Sequence, residues 1–354
     1  MKISMNYFVF LLLSFFGLMI ATINPFILSR KFYADALLIV NDFNNEAGFS
    51  SGSYGITMLF YKVTGLKYLH FSIIAFLEYF IYIYLLKRIG IPNNFKIVTL
   101  SNILIYISFF LIAIFISMPS KDFLTYIFIY FILRILYFNK YSIRKVIFVI
   151  TCMLIVFAVF FRIYFIFIPF IMFSIYFATK FIGNKNLFIQ FLLGIFILIG
   201  ISLIFGVVNG EYLTSIARDQ MNLSREIDGV NSNSIILPPI RPTTWYGEIV
   251  SMFYGFFSAN FPINEYKHFF TLRILFFIIW QILLLGILYS KYKKLNFTDK
   301  TGQKIQIIFL FLFSYFIIQG LFEPDLGSTV RHKIGLFPII YFLLVYDKLE
   351  KKFT

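Results

Sequence analysis

Long apolar runs separated by short polar turns dominate the chain. A helix needs roughly 20 apolar residues to cross the hydrocarbon core of a bilayer. Runs of that order fall at 7–28, 67–86, 97–117, 121–138, 145–161, 163–180, 187–207, 268–290, 304–322 and 333–347. None alternates apolar and polar residues as a barrel strand would, and backbone in lipid is satisfied only in helices or closed barrels. The pattern predicts an all-α, polytopic transmembrane protein of about ten spans, with a single membrane domain over 1–354. Only Arg162 separates the fifth and sixth runs. One helix over 145–180 would be about 54 Å long against a core of about 30 Å, so a tight turn at Arg162 is expected. The first run follows Lys2 and has no small-x-small pattern over Ala21–Phe26, so it reads as a span rather than a cleaved signal.

Composition agrees with the pattern. With 60% hydrophobic and 13% charged residues, the chain has more apolar surface than one soluble core can hide, and lipid must act as its solvent. The single cysteine, Cys152, lies inside an apolar run and cannot close an intramolecular disulfide. The net charge of +15 would suggest an acidic partner if it were spread evenly, but it is not. Placing the N-terminus in the cytoplasm and alternating sides puts Lys2, Lys87, Arg88, Lys96, Lys140, Arg144, Lys145, Lys180, Lys185, Lys291, Lys293, Lys294, Lys300, Lys304, Lys348, Lys351 and Lys352 on the inner side. Only Asp299, Asp347 and Glu350 stand against them. This positive-inside bias predicts both termini in the cytoplasm and makes nucleic-acid binding unnecessary to explain the charge.

The opposite face receives mixed charge and three substantial segments, 29–66, 208–267 and 323–332. In the first, Asp35, Asp42 and Glu46 would share one face if Asp35–Glu46 were helical, as a solvated interfacial face or, less simply, an acid/base site. Met118-Pro119-Ser120-Lys121-Asp122 opens the fourth run. Ser120 is a natural N-cap and Asp122 suits the positive helix end, but Lys121 opposes it. A helix start bearing a cation suits phosphate or diphosphate, with snorkelling to water as the simpler alternative. Gly327-Ser328-Thr329-Val330-Arg331-His332-Lys333 repeats the arrangement, with Glu323 and Asp325 as local acids for pairing. Arg162 stands between two apolar stretches, where a charge is costly unless it faces a cavity or a partner. In the long segment Arg218 and Arg225 lie seven apart on an expected amphipathic helix over 211–228. Pro238, Pro239, Arg241 and Pro242 follow, then a short apolar stretch over 249–261 that reads as a re-entrant or interfacial helix. Arginine forks grip phosphate oxygens bidentately.

In this layout the chain resembles the bacterial polysaccharide polymerases of O-antigen and capsule assembly, including the related EpsG-like proteins. The residues that carry the resemblance are Ser120-Lys121-Asp122, Arg162-Ile163-Tyr164-Phe165 and Arg331-His332, with the enlarged loop in the second half. An Arg followed by ten residues and a Gly, Arg218 to Gly229, occurs at about the frequency that chance gives for these residue types. The resemblance implies a bacterial inner-membrane enzyme, with a layout like that of the glycosyltransferase-C proteins. Such an enzyme moves a glycan from undecaprenyl diphosphate to a second lipid-linked repeat unit at the periplasmic face, and its partners include membrane lipid, chain-length regulators and flippases. It further implies Lys121, Arg162, Arg218, Arg225, Arg241 and Arg331 for the diphosphate and His332, Asp35 or Asp122 as base, with no metal or other cofactor. Two competing readings are a polyprenyl-phosphate-sugar glycosyltransferase, for which Asp35 or Asp42 would serve, and a lipid-linked oligosaccharide flippase or other transporter. A transporter should carry charge at mid-membrane depth, where Glu78 is the clear acidic candidate.

Overall fold

The computed structural model describes residues 4–29, 32–139, 142–182, 186–227, 234–263 and 270–349. Among these no strand forms, and Ile235 and Asp325 make an isolated bridge. The chain divides into two compact units, residues 1–163 with 331–354, and residues 164–330.

The first unit contains α1 (Met5–Ile27), α2 (Ala34–Asn41), α3 (Gly52–Val63), α4 (Phe71–Ile89), α5 (Leu100–Phe115), α6 (Lys121–Phe138) and α7 (Ile143–Phe160). Helix α1 packs on α4 and α5, α2 on α3, and α3 on α6 and α7. Apolar packing drives no association between helices when lipid tails are equally apolar, so close approach and polar contacts must hold the bundle. Gly17 of α1 supplies one such approach, because a Cβ there would collide with the Tyr79 hydroxyl of α4. Asn24 donates from Nδ2 to the Ala113 carbonyl at 2.9 Å, and Tyr82 donates to the Ile116 carbonyl at 2.6 Å. Many apolar side chains on α1, including Phe8, Leu11, Phe15, Phe16 and Ile23, remain exposed within the chain, as a lipid-facing helix requires.

The second unit contains α8 (Phe167–Ile182), α9 (Leu187–Asn209), a π-helical turn over Ser215–Asp219, α10 (Gln220–Ile227), α11 (Trp245–Asn260), α12 (Leu272–Lys293) and α13 (Lys300–Phe322). Helix α13 is nearly wholly buried and packs against α8, α9 and α11. Helix α14 (Leu326–Gly335) runs from the second unit into the first, and α15 (Phe337–Val345) follows it after a 70° bend.

Six described helical stretches are long and apolar enough to span a membrane: α1, α7, Ile163–Phe181, α9, Ile274–Lys293 and α13. The bent pair α14 and α15 would make a seventh. The runs at 67–86 and 121–138 do form helices, but α4 carries Glu78, Lys87 and Arg88, and α6 carries Lys121, Asp122 and Arg134. The run at 97–117 forms α5, which has only 16 residues. The expected break at Arg162 is present, since α7 ends at Phe160 and a short 3-10 turn over Ile163–Ile166 precedes α8. The expected helix over Asp35–Glu46 is not. It stops at Asn41, and Asp42 adopts a left-handed conformation with φ 44°, where its Oδ1 accepts the Glu46 amide at 2.7 Å. Local hydrogen bonding by a short carboxylate outcompetes helix continuation here, and the three acids do not share a face.

Candidate functional site

Helix α6 begins where the sequence predicts. Ser120 is extended, with φ −153°, and its Oγ accepts the Phe123 amide at 3.3 Å, which satisfies one of the helix's free donors. The Ser120 amide in turn donates to the Tyr61 hydroxyl at 3.2 Å, and that hydroxyl donates to Glu78 Oε1. Tyr61 and Glu78 are fully buried and anchor the start of α6 from α3 and α4.

That anchored start presents Asp122, which is fully buried and serves as the hub of a charge cluster. Arg162 Nη2 donates to Asp122 Oδ1 at 2.5 Å, and Arg331 Nε donates to Asp122 Oδ2 at 2.7 Å. Arg331 reaches further, with Nη1 2.7 Å from Asp35 Oδ2. The second oxygen of Asp35 accepts the Tyr54 hydroxyl at 3.0 Å. Lys121 Nζ lies 4.0 Å from the centre of the Tyr54 ring, a cation–π distance. His332 Nε2 stands 4.0 Å from Asp122 Oδ1. The cluster is graded from dry to wet: Asp122 and Arg162 are enclosed, while the side chains of Arg331 and Asp35 are 22% and 33% exposed. Three fixed cations, Lys121, Arg162 and Arg331, face two carboxylates and leave one net positive charge.

Asp35 and Tyr54 respond in opposite senses. Burial alone would raise the Asp35 carboxyl, but Arg331 and Lys121, with the hydrogen bonds from Arg331 and Tyr54, hold it below its ordinary value. Burial, with the Asp35 charge beside it, pushes the Tyr54 phenol well up, so Tyr54 stays protonated and donates.

The sequence expectations for this cluster divide. Lys121, Asp122, Arg162, Arg331, His332 and Asp35 are brought together. Asp122, expected as a candidate base, has both oxygens engaged by guanidinium groups and no exposed surface, which makes it a counter-ion. Arg331 and His332 were expected in a first helical turn capped by hydroxyls. Instead Asp325 caps α14, accepting the Ser328 amide at 2.8 Å on Oδ1, and His332 and Lys333 fall in the last turn, where cations suit the dipole. Arg331 takes its carboxylate partners from α2 and α6. Tyr54 and Tyr61 were not anticipated, since no spacing in 47–61 distinguishes them from the chain's many other tyrosines.

The remaining expected phosphate ligands belong to the second unit. Arg218 is fully buried in the π-helical turn and donates from Nη1 to the Gly320 carbonyl at 2.8 Å and from Nη2 to the Ser251 carbonyl at 3.0 Å and to its hydroxyl. It clamps α11 to α13, and its fork is not open to a ligand. The π-helical turn also breaks the α-helical register from Arg218 to Arg225 that an amphipathic helix over 211–228 would need. Arg225 falls on α10 with its side chain outside the described atoms, Arg241 is exposed ahead of α11, and Gly229 lies outside the described residues. The buried Glu248 accepts Ser202 Oγ at 2.5 Å, Thr214 Oγ at 2.7 Å and the Thr214 amide at 3.3 Å, fixing the start of α11 to α9 and the following turn.

Comparison of the chain with protein-family models, with curated proteins and with solved structures found no match.

Proposed function

We propose that this chain is a bacterial inner-membrane glycosyltransferase that polymerises lipid-linked oligosaccharide repeat units, taking the growing glycan from undecaprenyl diphosphate at the periplasmic face. The observation that carries the reading is the net-positive cluster of Lys121, Arg162 and Arg331, ending in a partly exposed carboxylate, Asp35. Such a reaction needs fixed cations for the charge that develops on a diphosphate leaving group and a base for the acceptor hydroxyl. In the proposed step the acceptor oxygen bonds to the anomeric carbon as the bond from that carbon to the diphosphate oxygen breaks. The diphosphate departs with the electron pair, and Asp35 takes the hydroxyl proton. His332, beside Asp122, is the second candidate for that proton.

The topology that accompanies this reading has ten spans with both termini in the cytoplasm, supported by the inner-side lysines and arginines. It places the segment around α2 and α3 and that around α10 and α11 outside, with α11 as a re-entrant or interfacial helix. Partners on this reading are the lipid-linked repeat unit, membrane lipid, a chain-length regulator and a flippase. One observation favours a second reading. Asp35, from the segment that follows the first span, reaches the cluster, as a polyprenyl-phosphate-sugar glycosyltransferase would require.

Deleting the gene and resolving surface polysaccharide on gels tests the proposal. The expected result is loss of long chains with single repeat units retained on the carrier, and restoration by the wild-type gene but not by Arg162→Ala or Arg331→Ala expressed at equal level. Normal chain length in the deletion strain would overturn it. Dependence on a lipid monophosphate sugar would select the second reading.

A further inference from the structure

Resting on the proposed reading, we infer that the Asp35 carboxylate is a tethered stand-in for the substrate's anion, so that diphosphate enters this site by taking Arg331 from Asp35. The two carboxylates that share Arg331 are not equivalent. Asp122 engages the guanidinium at Nε, is fully buried and is also held by Arg162. Asp35 engages it at Nη1, at the partly exposed end. An ion pair open to water is weak, whereas a pair closed in a protein interior is costly to break. An arriving anion therefore exchanges with Asp35 and leaves Asp122 in place.

Charge selects the same anion. With Asp35 bound the cluster has one net positive charge. Once Asp35 swings out, Lys121, Arg162 and Arg331 face Asp122 alone, and two net positive charges remain. A diphosphate diester carries two negative charges, which match the two cationic charges freed for contact while Asp35 keeps its own charge at the edge of the site, and a planar guanidinium edge matches phosphate oxygens as well as it matches a carboxylate. Tyr54 completes the device. It donates to Asp35 Oδ1, the oxygen that does not touch Arg331, so the released carboxylate stays beside the site with one oxygen free to accept a proton. Asp35 lies in the first turn of α2, an eight-residue helix seated by Ala36 and Ile39, and loss of the Arg331 bond loosens that helix.

The test uses the full chain in lipid nanodiscs with inorganic pyrophosphate as probe, read by calorimetry. Asp35→Asn and Asp35→Ala should each bind pyrophosphate about tenfold more tightly than wild type, because the internal competitor is gone, and adding Arg331→Ala to either should abolish the gain. In the wild-type protein, pyrophosphate should speed amide exchange in residues 34–41. Equal affinity in wild type and both Asp35 variants, a gain that survives Arg331→Ala, or unchanged exchange in α2 would each overturn the inference. Undecaprenyl diphosphate placed in the nanodisc should displace the probe. If it does not while the variants behave as described, the exchange stands and the lipid-linked reading fails.

Discussion

Asp122 shows how far a single residue's chemistry can be read from its neighbours in sequence. Ser120-Lys121-Asp122 announces a helix start, and the cap forms as expected. What the sequence does not announce is that Arg162 and Arg331, 40 and 209 residues away, both converge on Asp122. Local signals report caps, whereas ion pairs depend on tertiary placement. A carboxylate that balances two enclosed guanidiniums is a structural counter-ion, and removing it leaves charges without compensation. Asp122→Asn should therefore lower stability by about 3–5 kcal/mol, measured as reversible unfolding in mixed micelles, and an unchanged midpoint would contradict this role. Asp35 should behave differently because it sits at the partly exposed edge of the cluster, where Arg331 and Lys121 hold its carboxyl below the ordinary value. A carboxyl lowered on folding contributes stability that is complete above its unfolded value, about 3.9, and is lost as pH falls through the lowered value. Melting temperatures of wild type and Asp35→Asn should differ by a constant amount from pH 7 down to about pH 5, and the difference should shrink as pH falls below about 3.9. A gap that does not shrink at all below that pH would show that Asp35 contributes through packing instead.

Among the helices, those that are long and apolar were legible, and α1, α7, α9 and α13 fall where the runs place them. Hydropathy alone misreads elements in which helical and polar signals compete. The acids after α2 read as a helical face until Asp42 turns the chain locally, and the 211–228 segment reads as one amphipathic helix until a π-helical turn buries Arg218. Arg218 reads as a phosphate ligand because an arginine on an amphipathic helix presents its fork to solvent. Its partners are two backbone carbonyls and the Ser251 hydroxyl, a convergence that no residue pattern encodes. The clamp it forms depends on α11 and α13 approaching closely, and Gly320 makes this possible, since a Cβ there would lie 2.6 Å from the Phe256 amide nitrogen. Backbone cannot yield as a flexible side chain can. Gly320→Ala should cost about 1–3 kcal/mol through overpacking and raise protease sensitivity between α11 and α13, while Gly200→Ala, where a Cβ meets nothing within 4 Å, should be neutral. Equal stability of the two variants would remove this account of the contact.

For the molecule as a whole, the apolar composition agrees with the helical class and with helices long enough to span a membrane. The site lies at a level that composition does not reach. Its residues come from α2, α3, α6, the break after α7 and α14, elements far apart in sequence. Arg162 was conspicuous as a charge between apolar stretches, and Arg331 as a cation near a helix start, but the reason they meet is their common partner. The central claim is that this cluster stabilises a departing lipid diphosphate during glycan polymerisation. The most direct measurement supplies the purified full chain in nanodiscs with undecaprenyl-diphosphate-linked repeat units and follows product length and released carrier. The account predicts a ladder of longer glycans with one undecaprenyl diphosphate released per added unit, and its loss in Arg331→Ala. Intact repeat units with no carrier released by the wild-type protein, or an undiminished ladder in Arg331→Ala, would contradict it.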